Sequence, residues 1–138
     1  MPFVIAEVAG IEALARAAPV PASFRAAAAQ FDAEAPGFKL LLYAPRDGNA
    51  LTPRMRMFAP LTGVTEDPAT GSAAATLAGL LTARAPGDDV SLSFEIAQGI
   101  ELGRPSRILA SARKEADGPI SATVAGTCVP VLRGEASL

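Results

Sequence analysis

No histidine occurs anywhere in these 138 residues. That absence removes every Ser-His-Asp or Cys-His catalytic unit and every histidine-based metal site. Acid–base chemistry then falls to Asp, Glu, Lys, Tyr43 or Cys128. The lone cysteine, Cys128, excludes a disulfide within the chain and fits a reducing cytoplasm. Aromatic residues are scarce, with Tyr43 and six Phe offering no platform on which bases would stack. Twelve Lys and Arg against fourteen Asp and Glu leave a net charge of −2 with no long basic run, which argues against a nucleic-acid partner. No run is long and apolar enough to span a bilayer. The opening MPFVIAEVAG also lacks the charged segment and cleavage site of a signal peptide. The expectation is a cytoplasmic protein with no membrane or nucleic-acid partner.

What is present suits one domain over residues 1–138, and a hydrophobic share of 50% is enough for a sizeable core. Residues 3–8 read as a short buried strand. Residues 11–18 and 22–31 are Ala-rich with helical spacing, the first stopped by Pro19 and the second preceded by Pro21. Residues 38–44 form an apolar strand closed by the turn PRDGN. In LTPRMRMFAP, Arg54 and Arg56 fall on one strand face, Met55 and Met57 on the other. VSLSFEI, residues 90–96, alternates strictly, as a half-buried strand does. Residues 107–114 and 120–129 suggest two more strands around the turn ADGP, with a last short pairing near Gly134. Short helices among mostly neighbouring strands indicate an α+β fold.

The stretch EDPATGSAAATLAGLL, residues 66–81, stands apart. Ala73, Ala74, Ala75, Leu77, Ala78, Leu80 and Leu81 occupy every face of a helical wheel, interrupted only by the small Thr76 and Gly79. A helix apolar all round is buried on all sides, so a sheet must wrap it or another subunit must cover it. On pattern alone, capping is the stronger reading of its start: Asp67 as N-cap with Pro68 first in the helix, or Thr70 or Ser72 as caps. A second reading uses the free N–H groups and positive dipole end of the first turn. There Gly71 would let a substrate carboxylate approach the backbone, beside an Asp67 able to move a proton.

Other patterns carry less. TGSAAAT lacks the Gly-Lys-Ser of a P-loop, no GxGxxG follows a strand, and Ser72 lies in no GxSxG elbow. Cys128 reads as a small core residue before it reads as a nucleophile. Asp88 and Asp89 suit a solvated turn. Arg54 and Arg56 can be an anion-binding pair or a solvated strand face, and Arg104 and Arg107 can simply tie down a turn.

Taken in order, Arg56-x-Phe58-Ala59-Pro60, Gly63 and EDPATGSA resemble the signature of the phenazine-biosynthesis-like (PhzF-like) isomerases. QGIELGRPS, residues 98–106, resembles a second signature of that family. MPFVIAEVAGIEALARAAP and TVAGTCVPVLRGEASL resemble the strand and helix that open its second half and the strands that close it. The resemblance implies a diaminopimelate-epimerase-like fold, of which this chain would be one half-domain: a mostly antiparallel sheet rolled around a buried central helix. It implies cofactor-independent isomerisation or epimerisation of a small carboxylic acid by acid–base proton transfer. Asp67 would be the catalytic acid/base, with Gly71 and Ser72 holding the substrate; no cofactor or metal is expected.

The companion half, with its catalytic glutamate and His-containing motif, has no counterpart in this sequence. Completion by a separate chain or by a homodimer is therefore expected. The competing expectation is a non-catalytic small-acid-binding or assembly module.

Overall fold

Two side-chain periods build the fold around one helix. The computed structural model describes residues 2–31 and 37–135. Its elements run β1 (Val4–Glu7), α1 (Ile11–Arg16), α2 (Pro21–Phe31), β2 (Leu40–Arg46), β3 (Asn49–Ala59), a 3-10 turn (Pro60–Thr62), β4 (Val64–Asp67), α3 (Gly71–Arg84), β5 (Val90–Gln98), β6 (Ser106–Lys114) and β7 (Ser121–Ala125). The seven strands form one sheet in the order β1-β2-β3-β5-β6-β7, with β4 also paired to β3. β1 runs parallel to β2, and β5 meets β3 in parallel through Arg54 opposite Ala97; the remaining pairs are antiparallel.

Alternation places Leu41 and Tyr43 of β2, Met55 and Met57 of β3, Phe94 and Ile96 of β5, and Ile108, Ala110 and Ala112 of β6 on the inner face. All join one core with Ala73, Ala74, Leu77 and Ala78 of α3. Side chains from strands this far apart reach one helix only if the sheet curls around it, and the alanines of β6 and α3 allow close approach. A smaller core of Phe24, Phe38 and Phe58 packs on the opposite face under α2.

The helix is not enclosed all round, as its wheel had suggested. Ser72, Thr76 and Ala83 are exposed, and Ala75, Gly79 and Leu80 only half-buried. All of these but Ser72 floor an open groove of about 480 Å³ between Ile5 of β1 and Ile120 and Ala122 beside and on β7, the two outer edges of the curled sheet. The wheel gave no warning because Thr76 and Gly79 are too small to mark a polar face.

Three further elements depart from expectation. Residues 64–67 form β4, a strand the sequence reading missed. Asp67 ends that strand and caps nothing; α3 begins at Gly71 with Thr70 at the N-cap position. The last strand stops at Ala125, and described residues 126–135 lie outside any strand, with Val129, Val131 and Leu132 at least 84% exposed. The pairing expected near Gly134 is absent from the described residues, and residues 136–138 lie outside them.

Candidate functional site

β4 and β5 end nose to nose along β3. Asp67 lies opposite Met57 and runs antiparallel to β3, while Ala97, one residue before the end of β5, lies opposite Arg54 in parallel. The two chain ends therefore converge on the same short span of β3. Pro68 forces extended backbone on Asp67 and cannot donate to a ladder, so β4 stops there. Gly99, at a φ of 77°, turns the chain away after β5. A Cβ on Gly99 would run into the Arg104 carbonyl and stand 2.7 Å from the Pro68 carbonyl. Glycine is required there both by the backbone angle and by the close passage of the other loop.

Gln98 fastens the junction. Its side chain is 1% exposed. The backbone N–H of Thr70 donates to Gln98 Oε1 at 2.9 Å, and Gln98 Nε2 donates to the Asp67 carbonyl at 2.6 Å and to Thr70 Oγ1 at 3.1 Å. Thr70 Oγ1 in turn donates to Asp67 Oδ2 at 2.7 Å. The two sequence signatures thus meet in space through named hydrogen bonds. Gln98 was not singled out from sequence, although it occupies the next inward position of the VSLSFEIAQ alternation. A polar residue at an inward position is the signal that could have found it.

This wiring has a consequence for α3. Thr70 holds the N-cap position, yet no side chain caps the helix, because the Thr70 hydroxyl is turned onto Asp67. The Thr70 carbonyl accepts the first helical bond, from the Ala74 N–H at 3.0 Å. The earlier amides of the first turn remain available to an anion at the positive end of the dipole. Gly71 keeps the approach narrow but open: a Cβ there would lie 3.5 Å from Val124 Cγ2.

Beside this turn is a cavity of about 530 Å³. Ala69 and Gly71 form one side, Ser106, Arg107 and Ile108 of β6 another, and Val124 to Cys128 the third. Of the three residues nominated from sequence, Gly71 lines it. Asp67 is half-buried, and Ser72 is exposed on α3; neither is among the lining residues. Arg107 lines the cavity while its Nη2 bonds Glu95 Oε2 at 2.7 Å. The Arg107 hydrogen bond holds the Glu95 carboxyl below its ordinary value, and Glu95 raises Arg107 in return. Cys128, expected in the core, is exposed at the cavity wall, because the chain has left the sheet three residues earlier.

The arginine pair of β3 faces the other way, and neither reading made of it from sequence holds. Arg56 is buried, and its Nε and Nη2 donate to both oxygens of Glu66 at 2.8 Å. Its Nη1 reaches the carbonyls of Leu14, Ala15 and Ala17 at 3.0, 3.2 and 2.7 Å, closing the C-terminal end of α1. The Glu66 hydrogen bond, first among the causes, raises Arg56 above its ordinary value. Arg54 Nη2 binds Glu101 Oε1 at 2.8 Å, tying the QGIELGRPS loop to β3. Both guanidiniums are committed to structure. Asp88 and Asp89 are exposed, as a solvated turn requires. Among the described residues no group of His, Cys, Asp and Glu is placed to hold a metal ion, and no helix is long and apolar enough to cross a membrane.

The model of the family described as phenazine biosynthesis-like protein matches residues 3–134. The chain belongs to that family. Within the phenazine biosynthesis-like proteins it is 46% identical over 81 residues to a trans-2,3-dihydro-3-hydroxyanthranilate isomerase of Pseudomonas chlororaphis, covering 59% of this chain and 29% of the relative. It is 42% identical over 85 residues to the isomerase of the same name from Pseudomonas aeruginosa, covering 62% and 30%. A Bacillus anthracis phenazine biosynthesis protein of the PhzF family shares the fold, with a TM-score of 0.72 over 91% of this chain and 42% of that one, at 19% identity. The chain thus spans about a third or less of the curated relatives it matches and under half of the solved neighbour.

Proposed function

We propose that this chain is one half of a cofactor-independent isomerase of the phenazine biosynthesis-like family, acting on a small carboxylic acid. Its substrate's carboxylate would sit on the first-turn amides of α3 at Gly71 and Ser72, assisted by the Ser72 hydroxyl. Asp67 would take a proton from one carbon of the bound acid and return it to another. The observation that carries this reading is the N-cap whose hydroxyl has been diverted to Asp67, which leaves the helix start open and couples it to a carboxylate. The names of the relatives support it, since two of them are isomerases of a hydroxylated, amino-substituted carboxylic acid. The opposite wall would come from a partner chain supplying the N-terminal half, or from a second copy of this one. Domain 1–138 would then act as a single unit at that interface.

The test is exchange of carbon-bound hydrogen with deuterated water, using trans-2,3-dihydro-3-hydroxyanthranilate as probe. It is run on the chain alone and mixed with the N-terminal half of a family member, with the mass of each sample measured by light scattering. The expected result is exchange in an assembled species that Asp67→Asn abolishes. Exchange unaffected by Asp67→Asn would refute the assignment.

A second reading, a small-acid-binding or assembly module without turnover, is favoured by one observation: Asp67 does not line the cavity beside Gly71. Binding of the probe without exchange, in every assembled form, would establish it instead.

A further inference from the structure

The hydrogen bonds around Gln98 have a direction, and that direction reaches Asp67. Start from the backbone, whose groups cannot change roles: the Thr70 N–H is a donor and the Asp67 carbonyl an acceptor. Gln98 meets the first with Oε1 at 2.9 Å and the second with Nε2 at 2.6 Å. A flipped amide would set N–H against N–H and carbonyl against carbonyl, so the orientation of Gln98 is fixed by chemistry. Nε2 has a second hydrogen, and Thr70 Oγ1 lies 3.1 Å away to accept it. The Thr70 hydroxyl therefore spends its own proton on its other neighbour, Asp67 Oδ2, at 2.7 Å. Among the described residues nothing is bonded to the other oxygen, Oδ1.

We propose that Gln98 and Thr70 are positioning residues that make the two oxygens of Asp67 inequivalent. Oδ2 is held permanently as an acceptor, and Oδ1 is the atom that carries and exchanges the proton. The inference rests on the acid/base role proposed above for Asp67. Its physical content is a penalty. Protonation at Oδ2 would leave the nearly buried Thr70 hydroxyl, already accepting from Gln98, facing a second donor, with no acceptor for its own hydrogen. In the proton cycle, the C–H bond of the substrate breaks as the Oδ1–H bond forms. The Oδ1–H bond then breaks as hydrogen is returned to a second carbon, while Oδ2 keeps its hydrogen bond throughout. A carboxylate that always presents the same oxygen needs no rotation between the two transfers.

The closing experiment has two independent arms. In the labelled 138-residue chain, couplings across hydrogen bonds are measured by NMR from Thr70 ¹⁵N to the Gln98 side-chain carbonyl carbon and from Gln98 ¹⁵Nε2 to the Asp67 carbonyl carbon. Both are expected; the absence of either overturns the relay whether or not the chain is an isomerase. In the assembled protein, exchange of trans-2,3-dihydro-3-hydroxyanthranilate is compared among wild type, Thr70→Val, Thr70→Ser and Gln98→Glu. Thr70→Val keeps the shape and loses the donor. It is expected to lower kcat at least about tenfold, part of the ~10²–10⁴ that positioned acid–base catalysis supplies, with KM little changed. Thr70→Ser restores most of the loss. Gln98→Glu removes the amide donor and falls with Thr70→Val; should it fail to fold, the threonine pair decides alone. Full kcat in Thr70→Val, with an active wild type, overturns the proposal. An inactive wild type with both couplings present refutes the isomerase reading and leaves the directed relay standing.

Discussion

Replacing Glu66 by Ala tests the buried ion pair that joins β4 to Arg56 of β3. Arg56 and Glu66 are each 7% exposed at the side chain and share two parallel 2.8 Å bonds. Removing the carboxylate leaves a buried guanidinium still attached to three carbonyls at the C-terminal end of α1, those of Leu14, Ala15 and the C-cap Ala17, and 4.8 Å over the Phe58 ring. Breaking one side of a buried pair costs about 3–5 kcal/mol. Glu101 Oε2, 3.9 Å from Arg56 Nε, offers partial replacement, which places this case near the lower end, about 3 kcal/mol. That is a large share of the ~5–15 kcal/mol by which domains of this kind are stable. The assay is urea unfolding followed by circular dichroism, run as a cycle with Arg56→Met and the double variant. The double is expected to cost at least about 1.5 kcal/mol less than the sum of the singles, because it leaves no charge stranded. Glu95→Ala, which breaks an exposed pair with Arg107, serves as the control and leaves the midpoint essentially unmoved. A Glu66→Ala cost below about 1 kcal/mol, or additive singles, would refute the reasoning. The raised Arg56 value adds no pH dependence in the ordinary range, since its contribution is lost only as pH rises past the usual arginine value.

Tyr43 is the single tyrosine and there is no tryptophan, so tyrosinate absorbance reports this residue alone. Burial first, then its 2.9 Å bond to Glu7 Oε2 and that residue's charge, hold the phenol neutral above its ordinary range. The absorbance midpoint should therefore exceed the ~10 of a free tyrosine and move down in Glu7→Ala. Stability owed to this shift is complete below that ordinary value and disappears as pH rises through the raised one; a midpoint at or below the free value would contradict it. Gly99→Ala is expected to lower the thermal midpoint by more than about 4 °C, since a methyl there meets the Arg104 and Pro68 carbonyls at a positive φ. An unchanged calorimetric midpoint would show that the two loops do not bear on one another.

Much of the sheet was legible because alternation is a local signal. β5 followed from the alternation of Val90, Leu92, Phe94 and Ile96, residues 107–114 were read as the strand that became β6, and the Met/Arg alternation of β3 assigned its faces. What covers a face is a tertiary matter. Arg56 read as anion-binding or solvated because nothing in LTPRMRMFAP reveals that the carbonyls ending α1 will descend on it. β4 was hidden for a different reason: Asp-Pro is a common helix start, and four mainly polar residues give no alternation long enough to compete. The true start lies three residues further on, where Thr70 uses its hydroxyl elsewhere and so does not behave as the usual cap. At the site, pattern alone favoured capping for Asp67 over proton transfer, and resemblance to a family reversed that order. Gln98 was visible as a polar residue in an inward slot, but its partners lie 28 and 31 residues away in sequence.

The nose-to-nose meeting of β4 and β5 also decides where this chain can change length. A single residue inserted between Val90 and Gln98 would turn the glutamine to the outer face and bring Ala97 or its neighbour against Thr70. An insertion within β4 would carry Asp67 past Met57 and out of reach of the same amide. The turn at 115–120 and the exposed stretch after Ala125 carry no such register. Growth or shortening by indels is therefore confined to the rim, while the two strands that face each other across β3 have their lengths set to the residue.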